Sequence, residues 1–470
     1  MSNKIVSIFL AICLLASILT PALAETNQNY PIYIVQPGDT LTTIAERFGV
    51  PVEDIIRLNR IQNQDFLAPG DQLLIPGLEG IQGTLTTVTA QIGDTLDSIS
   101  KEYSVSKNFI IQINRITSPS EVYAGASLIL PTPNQESMQS SYRELAEGQT
   151  FLEAAALTNS NPWVLELANR ISSTAAFLAG SDFYKVLGDG ETALTPFDPA
   201  LTKVSISPLP LVQGETFEVE VDSSVPLTLE GTLAGNKLAF FSQGENQFIA
   251  LQGIHAMAEP GFYTFTLDGK YGNGKGFTIS QPILLKSGSY PKDTPLTVDP
   301  ATIDPAVTQP EDDFVKSLCS TANPVQYWSG IFQRPGAFDE YTSMFGDRRS
   351  YNGSGYTYFH SGLDFAGGMG LPVTAPADGV VVFTGLLTVR GNATFIDHGH
   401  GVYSGFFHQS EIDVKVGDKV TKGQTIGLVG NTGRVNGANE YPGAGAHLHW
   451  DLWVNGVQVN PLTWLNQEYP

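Results

Sequence analysis

Apolar and polar residues in the first third of the chain follow a strand, helix, helix, strand order that repeats after 55 residues. In the first unit the pattern predicts four elements, at residues 33–36, 40–48, 52–59 and 72–75. The turn Gln-Pro-Gly-Asp-Thr-Leu at 36–41 recurs as Gln-Ile-Gly-Asp-Thr-Leu at 91–96. Self-similarity at a fixed spacing is typical of repeated structural units. We therefore predict two βααβ units, at residues 30–77 and 85–132.

A third, more divergent unit is predicted at residues 140–187. A further step of 55 positions reaches Gly-Gln-Thr-Phe at 148–151 and Asn-Arg-Ile at 169–171, and the apolar run 162–168 fits the second helix. The alternative is a helical linker that matches the spacing by coincidence. Because several landmarks keep the same spacing, we favour the divergent repeat.

From about residue 200 the pattern changes to short alternating runs separated by glycine-rich turns. Runs such as Thr-Phe-Glu-Val-Glu-Val at 216–221 predict an immunoglobulin-like β-sandwich at 200–286. Residues 287–324 are rich in proline, aspartate and threonine, which predicts a mostly extended linker. Short strand patterns punctuated by glycine predict an all-β domain at 325–470. The expected fold class is multidomain, with α+β repeats, a central β-sandwich and a C-terminal all-β domain.

The first 24 residues have the pattern of a cleaved secretory signal peptide. Lys4 precedes an apolar run over residues 5–19, and Ala-Leu-Ala at 22–24 provides a cleavage site. The run is short for a membrane span, so an uncleaved anchor is the weaker alternative. We expect a protein that is secreted, periplasmic or associated with the cell wall, without a membrane span after cleavage.

The net charge limits the classes of binding partner, and the cysteine content limits the possible disulfides. The formal net charge is −22, and removal of residues 1–24 leaves 24 basic against 47 acidic residues. This charge argues against nucleic acid and anionic lipid as partners. Cys319 is the only cysteine beyond residue 24, so no intramolecular disulfide is expected.

The candidate chemistry lies in the C-terminal domain, which contains six of the seven histidines. His447 and His449 would lie on one face of a strand, with Leu448 turned into the core. His360 and Asp364 can likewise share one strand face. Two histidines and a carboxylate suit zinc and leave a fourth position for water or substrate. The group has more members than a metal ion needs, so acid–base chemistry is also expected.

These residues resemble the motifs of the lysostaphin/LytM-type zinc metallopeptidases, which cleave peptide bonds in bacterial peptidoglycan. The similarity covers roughly the last 130 residues and includes segments 344–349, 370–377, 396–399, 416–420 and 423–433. The resemblance implies that His360, Asp364 and His449 bind one Zn²⁺ per chain. It also implies that His408 and His447 are catalytic without binding the metal. Which of these two is the general base stays open.

The first two N-terminal units resemble LysM domains, βααβ modules that bind glycans containing N-acetylglucosamine. The glycan-binding candidates are the residues of their first turns: Gly38, Asp39, Thr40, Gly93, Asp94 and Thr95. The aspartates and threonines can instead cap the following helices, which is the simpler role.

Together, the two resemblances imply a secreted zinc endopeptidase that cleaves peptidoglycan cross-links and is targeted to the wall by LysM repeats. The alternative is a non-catalytic wall-binding regulator of the same fold. The chain keeps all five ligand and catalytic positions, which favours the enzyme.

Other features of the C-terminal half are open to more than one interpretation. Asp451 could orient His449 or be an exposed acid. His398 and His400 are expected in a turn or along the substrate groove. The loop at 434–446 is longer than in many relatives and should border the cleft, so the peptide preference of relatives is not transferred to this chain.

Overall fold

A computed structural model describes most of the chain outside the N-terminus and the third predicted unit. The described residues are 30–63, 67–78, 83–103, 105, 107–118, 121–131, 141–144, 153, 156, 182–185, 198, 200–435 and 445–470. The expected signal peptide and most of the third unit lie outside them. Among the described residues, no helix has the length and apolar character needed to cross a membrane.

Both N-terminal units have the predicted strand, helix, helix, strand order. The elements are β1 (Ile32–Ile34), α1 (Leu41–Phe48), α2 (Val52–Asn59), β2 (Gln72–Leu74), β3 (Thr84–Thr89), α3 (Leu96–Glu102), α4 (Lys107–Asn114) and β4 (Ser127–Pro131). Thr40 begins α1 with a capping box closed by Thr43, and Gly49 ends it in a left-handed conformation with φ 64°. The strands join one sheet in the order β2-β1-β3-β4, with β1 and β3 parallel. The two units therefore share a continuous sheet.

The outer strands of the third unit pair in the same register as those of the first two. They are β5 (Ser141–Glu144) and β6 (Asp182–Lys185), which are antiparallel. The corresponding partners are Ile32 with Leu74, Thr87 with Ile129 and Tyr142 with Tyr184. Both members of the pair advance by 55 positions at each step. Most residues between β5 and β6 lie outside the described part, so the third repeat stays a prediction.

The central region consists of two antiparallel sheets that share one hydrophobic core. Its strands are β7 (Leu201–Ser207), β8 (Leu211–Val212), β9 (Thr216–Ser223), β10 (Leu227–Leu233), β11 (Asn236–Lys237), β12 (Phe241–Gly244), β13 (Gln247–Gly253), β14 (Gly261–Tyr271) and β15 (Gly276–Lys286). The sheet orders are β11-β10-β14-β15-β8, in which the short β8 pairs in parallel, and β12-β13-β9-β7. Alternate residues such as Phe217 and Val219 of β9 meet Phe265 and Leu267 of β14 in the core. The alternation seen in the sequence thus marks the buried faces.

The segment that follows β15 lies against the C-terminal domain like an additional strand. Asp293 N–H donates to the Arg348 carbonyl (2.9 Å) and Leu296 N–H donates to the Ser350 carbonyl (2.9 Å). The side chain of Asn352 bonds to both the N–H and the carbonyl of Val298. We call residues 291–298 the strap. The strap is extended, as predicted, and it is held against the C-terminal domain by these hydrogen bonds.

The prediction of a mostly extended linker is wrong for the residues after the strap. A short 3₁₀ turn (Pro300–Thr302) leads into helix α5 (Pro305–Cys319), which begins with Asp304 as its N-cap. The buried face of α5 is formed by Glu311, Val315 and Cys319. Only two of these three residues are apolar, and Pro310 interrupts the helical pattern, so the sequence does not show the apolar periodicity that predicts a helix. Glu311 is buried because it accepts bonds from the Arg390 side chain (2.8 Å) and from backbone N–H groups.

The C-terminal domain is built on one large sheet, with two smaller sheets beside it. Its elements are β16 (Tyr341–Ser343), β17 (Arg348–Arg349), β18 (Tyr358–Phe359), β19 (Gly362–Ala366), β20 (Pro372–Thr374), β21 (Gly379–Leu387), β22 (Gly391–Gly399), β23 (Val402–Gln409), β24 (Glu411–Ile412), β25 (Lys419–Val420), β26 (Thr425–Leu428), β27 (His447–Val454), β28 (Val457–Val459) and α6 (Pro461–Trp464). The large sheet has the order β16-β19-β27-β23-β22-β21-β25, and β28 also pairs with β27. Strand β27 therefore lies between β19 and β23, the strands that carry or adjoin the other candidate residues.

Candidate active site

Strand pairing places two of the five candidate residues, Asp364 of β19 and His449 of β27, directly opposite each other. Phe407 of β23 lies opposite His449 on the other side. His360 is two residues before β19, and His408 follows Phe407. Because side chains alternate along β27, His447 and His449 share a face, while Leu448 and Trp450 are fully buried in the core.

Three ligand atoms converge at the centre of this arrangement. Asp364 Oδ1 lies 3.0 Å from His360 Nε2 and 2.7 Å from His449 Nδ1. The two histidine nitrogens are 3.0 Å apart. All three residues are buried. In a comparison of the His, Cys, Asp and Glu side chains of the described residues, these three have ligand atoms close enough together to hold a metal ion. Two imidazoles and one carboxylate that meet in a buried pocket fit a divalent metal with a nitrogen preference.

Burial and the charges of neighbouring residues determine the protonation of the three candidate ligands. Burial would raise the pKa of Asp364, but His360 and His449 outweigh it and hold that pKa well below the usual range. Burial lowers the pKa of His360, which favours the neutral imidazole that ligation requires. Burial would also lower the pKa of His449, but Asp451 and Asp364 raise it to about 9. A metal ion that binds here would therefore displace a proton from His449.

The two remaining histidines each bond to a backbone carbonyl through Nδ1. His408 Nδ1 is 2.7 Å from the Thr432 carbonyl, and His447 Nδ1 is 2.7 Å from the Gly445 carbonyl. A carbonyl only accepts, so each Nδ1 carries a proton, and in the neutral ring the acceptor nitrogen is Nε2. The two rings are 4.8 Å apart at their centroids. His447 Nε2 lies 3.7 Å from Asp364 Oδ1, beside the metal-binding group.

The ligands are fixed by hydrogen bonds on their outer side. Arg349 Nη2 lies 3.4 Å from Asp364 Oδ2 and donates to Ser343 Oγ at 2.7 Å, which leaves Asp364 Oδ1 facing the histidines. His360 Nδ1 donates to the Met344 carbonyl at 2.9 Å, so its Nε2 is free to bind a metal. Asp451 is fully buried, which excludes the interpretation as an exposed acid, and its Oδ1 lies 2.5 Å from His449 Nε2.

A cleft of about 840 Å³ opens over the site, and three parts of the chain line it. The strap contributes Asp293 and Leu296, and the central region contributes His255 and Met257. The described ends of the long loop, at 434–435 and 445–446, also border the cleft, as predicted. The His255 ring packs edge-on against Phe359, next to the ligand His360. Nothing in the local sequence pattern of His255 or of the strap signals a contact with residues so distant in the chain.

His398 and His400 do not line this cleft. His398 is buried with hydrogen bonds to the Asp378 carbonyl (2.8 Å) and Ser404 Oγ (2.9 Å), and burial lowers its pKa to about 4. His400 stacks on Phe241 of the central region. Both therefore have structural contacts, and the groove-lining interpretation is wrong for them.

The first turns of the two N-terminal units use their polar side chains internally. Asp39 accepts from Gln36 N–H (2.8 Å) and pairs with Arg47 (3.0 Å), and Asp94 accepts from Gln91 N–H (2.6 Å). Thr40 and Thr95 cap the helices that follow. Gly38 and Gly93 have φ values of 86° and 87°, and Gly93 N–H donates to Gln281 of β15. These contacts match the capping alternative, and the role of the six residues in glycan binding stays a prediction.

The fold and site define a β domain with a candidate metal site, preceded by a pair of βααβ modules. The family model for Peptidase family M23 matches residues 358–461, and the LysM domain model matches residues 33–76 and 88–131. The C-terminal part of this chain is thus a Peptidase family M23 domain, and the first two repeats are LysM domains. Both resemblances inferred from the sequence are confirmed.

Curated relatives match the same C-terminal region. The chain is 46% identical over 103 residues to the peptidoglycan DD-endopeptidase ShyA of Vibrio cholerae, a match that covers 22% of each chain. It is 40% identical over 104 residues to the DD-carboxypeptidase/endopeptidase Mpg of Neisseria meningitidis, again 22% of each chain. The matched region thus spans about a fifth of these relatives. The solved catalytic domain of lysostaphin from Staphylococcus simulans aligns with 28% identity and a TM-score of 0.21, over 30% of this chain and 90% of that chain.

Proposed function

We propose that this chain is a zinc-dependent endopeptidase that hydrolyses peptide cross-links of bacterial peptidoglycan. The observation that carries the proposal is that three buried ligand atoms meet in one cleft with two further histidines, each of which bonds to a backbone carbonyl through Nδ1. The M23 domain and the endopeptidase names of the matched relatives support the substrate class. We assign His360, Asp364 and His449 to one zinc ion, and His408 and His447 to acid–base catalysis.

In this proposal one set of residues binds the metal ion and a second set transfers protons. Zinc, when bound, polarises a carbonyl and lowers the pKa of water toward ~7. In its neutral form, either His408 or His447 can accept a proton at Nε2 from the attacking water and return it to the leaving amine. Burial, together with the neighbouring His447 and His449, holds the pKa of His408 well below the usual range, which keeps its Nε2 unprotonated. The protonated form of either ring can donate to the developing oxyanion.

Release of soluble label from dye-labelled insoluble peptidoglycan tests the proposed activity. The purified protein should release label, lose this activity after dialysis against a chelator, and regain it when zinc is added back. Elemental analysis should find about one zinc per chain, because the site offers a single set of three ligands. Undiminished release from protein shown to be metal-free would contradict the proposal.

The LysM domains would target this activity to the wall by binding N-acetylglucosamine-containing glycan strands. The first two units share one sheet, so any two glycan sites on them would act as linked sites with a high effective concentration. We further infer that 140–187 is a third repeat, because its outer strands keep the common register. We also infer that the central sheets form an immunoglobulin-like sandwich and that residues 1–24 direct export to the wall or the periplasm.

Removal of residues 1–197 is expected to separate targeting from chemistry. Hydrolysis of insoluble peptidoglycan should fall by at least tenfold, because wall binding concentrates the enzyme on its substrate. Hydrolysis of a soluble cross-linked peptide should stay within about twofold, because the described residues that line the active-site cleft all lie after residue 254. The two rates are measured on the same preparations, so the soluble peptide also controls for folding. Equal loss on both substrates would mean that the repeats support folding and not targeting.

A further inference from the structure

We propose that Asp451 is a positioning residue that selects the nitrogen through which His449 binds the metal. The inference rests on the proposed metal site and assigns a role to a residue beyond the ligands and the two catalytic histidines. Asp451 Oδ1 lies 2.5 Å from His449 Nε2, whereas His449 Nδ1 faces Asp364 and His360. A carboxylate accepts the Nε2 proton, and the tautomer protonated at Nε2 has its lone pair at Nδ1.

The two ligand histidines offer different ring nitrogens to the metal. His360 is fixed at Nδ1 by the Met344 carbonyl and offers Nε2, whereas His449 is fixed at Nε2 and offers Nδ1. An imidazole free in solution samples both tautomers. Without a partner at Nε2, His449 could carry its proton on Nδ1, and that nitrogen would then be closed to the metal. The contact between Asp451 and Nε2 favours the tautomer that keeps its proton on Nε2 and leaves Nδ1 directed at Asp364 and His360.

Asp451 is itself held in place by polar side chains. Ser361 Oγ–H donates to Asp451 Oδ1 at 2.9 Å, and Gln458 Nε2–H donates to Oδ2 at 2.7 Å. Both carboxylate oxygens therefore have partners, which a fully buried charge requires. Ser361 directly precedes β19, and Gln458 lies in β28; these two strands pair one after the other with the same edge of β27, whose other edge pairs with β23. The arrangement fixes the direction in which Asp451 meets His449.

Gly362 of β19 leaves space for the contact between Asp451 and His449. A Cβ atom placed on Gly362 would lie 2.8 Å from Asp451 Oδ1 and 2.8 Å from His449 Nε2. The same Cβ would lie 2.2 Å from the Trp450 carbonyl oxygen. Glycine at position 362 thus permits the close approach of β19 to the histidine–carboxylate pair. This is a second feature of the fold that serves the same contact.

Metal affinity of the full chain, measured by competition with a chromophoric chelator, tests the proposal. Asp451→Asn keeps the shape of the side chain but weakens acceptance at Nε2, so zinc should bind about 10–100-fold more weakly, as is typical when such partners are replaced. Asp397→Asn is the matched control, because Asp397 is also buried and hydrogen-bonded but does not contact the ligands. Ser361→Ala removes one donor to Asp451 and should weaken zinc in the same direction by a smaller factor.

Nitrogen NMR of histidine-labelled protein gives a readout that a merely structural role would not move. In the wild type, His449 should bind zinc through Nδ1 and keep its proton on Nε2. Zinc affinity unchanged in both Asp451→Asn and Ser361→Ala, or zinc bound through His449 Nε2, would overturn the inference. A wild type that binds zinc in the expected way without cleaving peptidoglycan would support the inference and contradict the proposed function. Cleavage by the wild type with unchanged zinc affinity in both variants would do the reverse.

Discussion

Asp364→Ala should lose the bound zinc and reduce peptidoglycan hydrolysis by about a thousandfold or more. Lewis-acid stabilisation by a metal ion is worth several kcal/mol, and each ~1.4 kcal/mol corresponds to tenfold in rate. Asp364 Oδ1 is the only anionic atom among the three ligand atoms, and it contacts both of the others. Its removal would leave two imidazoles next to Arg349, an arrangement that repels a cation. Metal content by elemental analysis and release of labelled peptidoglycan are the two measurements.

Asp312→Ala is the control for loss of a carboxylate from the same cleft. Asp312 lines the cleft and pairs with Arg390, but it lies apart from the ligand group. This variant should keep one zinc per chain and most of the hydrolytic rate. Undiminished zinc in Asp364→Ala would mean that the metal site has been placed on the wrong residues.

His408→Asn should keep zinc but lose about 10²- to 10⁴-fold in hydrolysis, the range typical for removal of an acid–base group. His408 contributes no atom to the ligand group, and Nε2 is the acceptor nitrogen of its neutral ring because Nδ1 bonds to the Thr432 carbonyl. Asparagine is preferred to alanine here because residue 408 has a φ of 62°, a conformation that asparagine tolerates. The variant should also still sediment with insoluble peptidoglycan, since the LysM domains are unchanged.

His400→Asn supplies the matched control for this second prediction. Residue 400 also has a positive φ, of 47°, and its side chain packs against Phe241 outside the cleft. This variant should hydrolyse peptidoglycan at close to the wild-type rate. If His408→Asn were as active as His400→Asn, the catalytic role would belong to His447 alone or to another residue.

The arrangement of the site could be predicted from sequence where one strand carries the signal. His447 and His449 alternate with Leu448 and Trp450, and this pattern alone predicts a strand with two histidines on its functional face. The pairing of that strand with the one that carries Asp364 needed the resemblance to known metallopeptidases. Pairing partners far apart in the chain leave no local trace in composition or periodicity.

The sequence alone does not assign a role to the residues that surround the ligands and the two catalytic candidates. The sequence left Asp451 open between an orienting residue and an exposed acid, because an acid on the face of a strand looks the same in either case. Burial decides the question, and burial depends on the neighbouring strands. The sequence predicts an extended linker for the strap and α5 for a related reason. Their contacts run through backbone hydrogen bonds and through Glu311, neither of which produces an apolar pattern.

The central claim is that the chain hydrolyses peptide cross-links by using the cleft around His360, Asp364 and His449. The most direct measurement is mass spectrometry of the fragments that zinc-loaded protein releases from peptidoglycan of defined composition, with Asp364→Ala run in parallel. The account predicts new peptide amino and carboxyl termini at cross-links, intact glycan linkages, and no such products from the variant. Fragments with cleaved glycan linkages and intact cross-links, or identical products from Asp364→Ala, would contradict it.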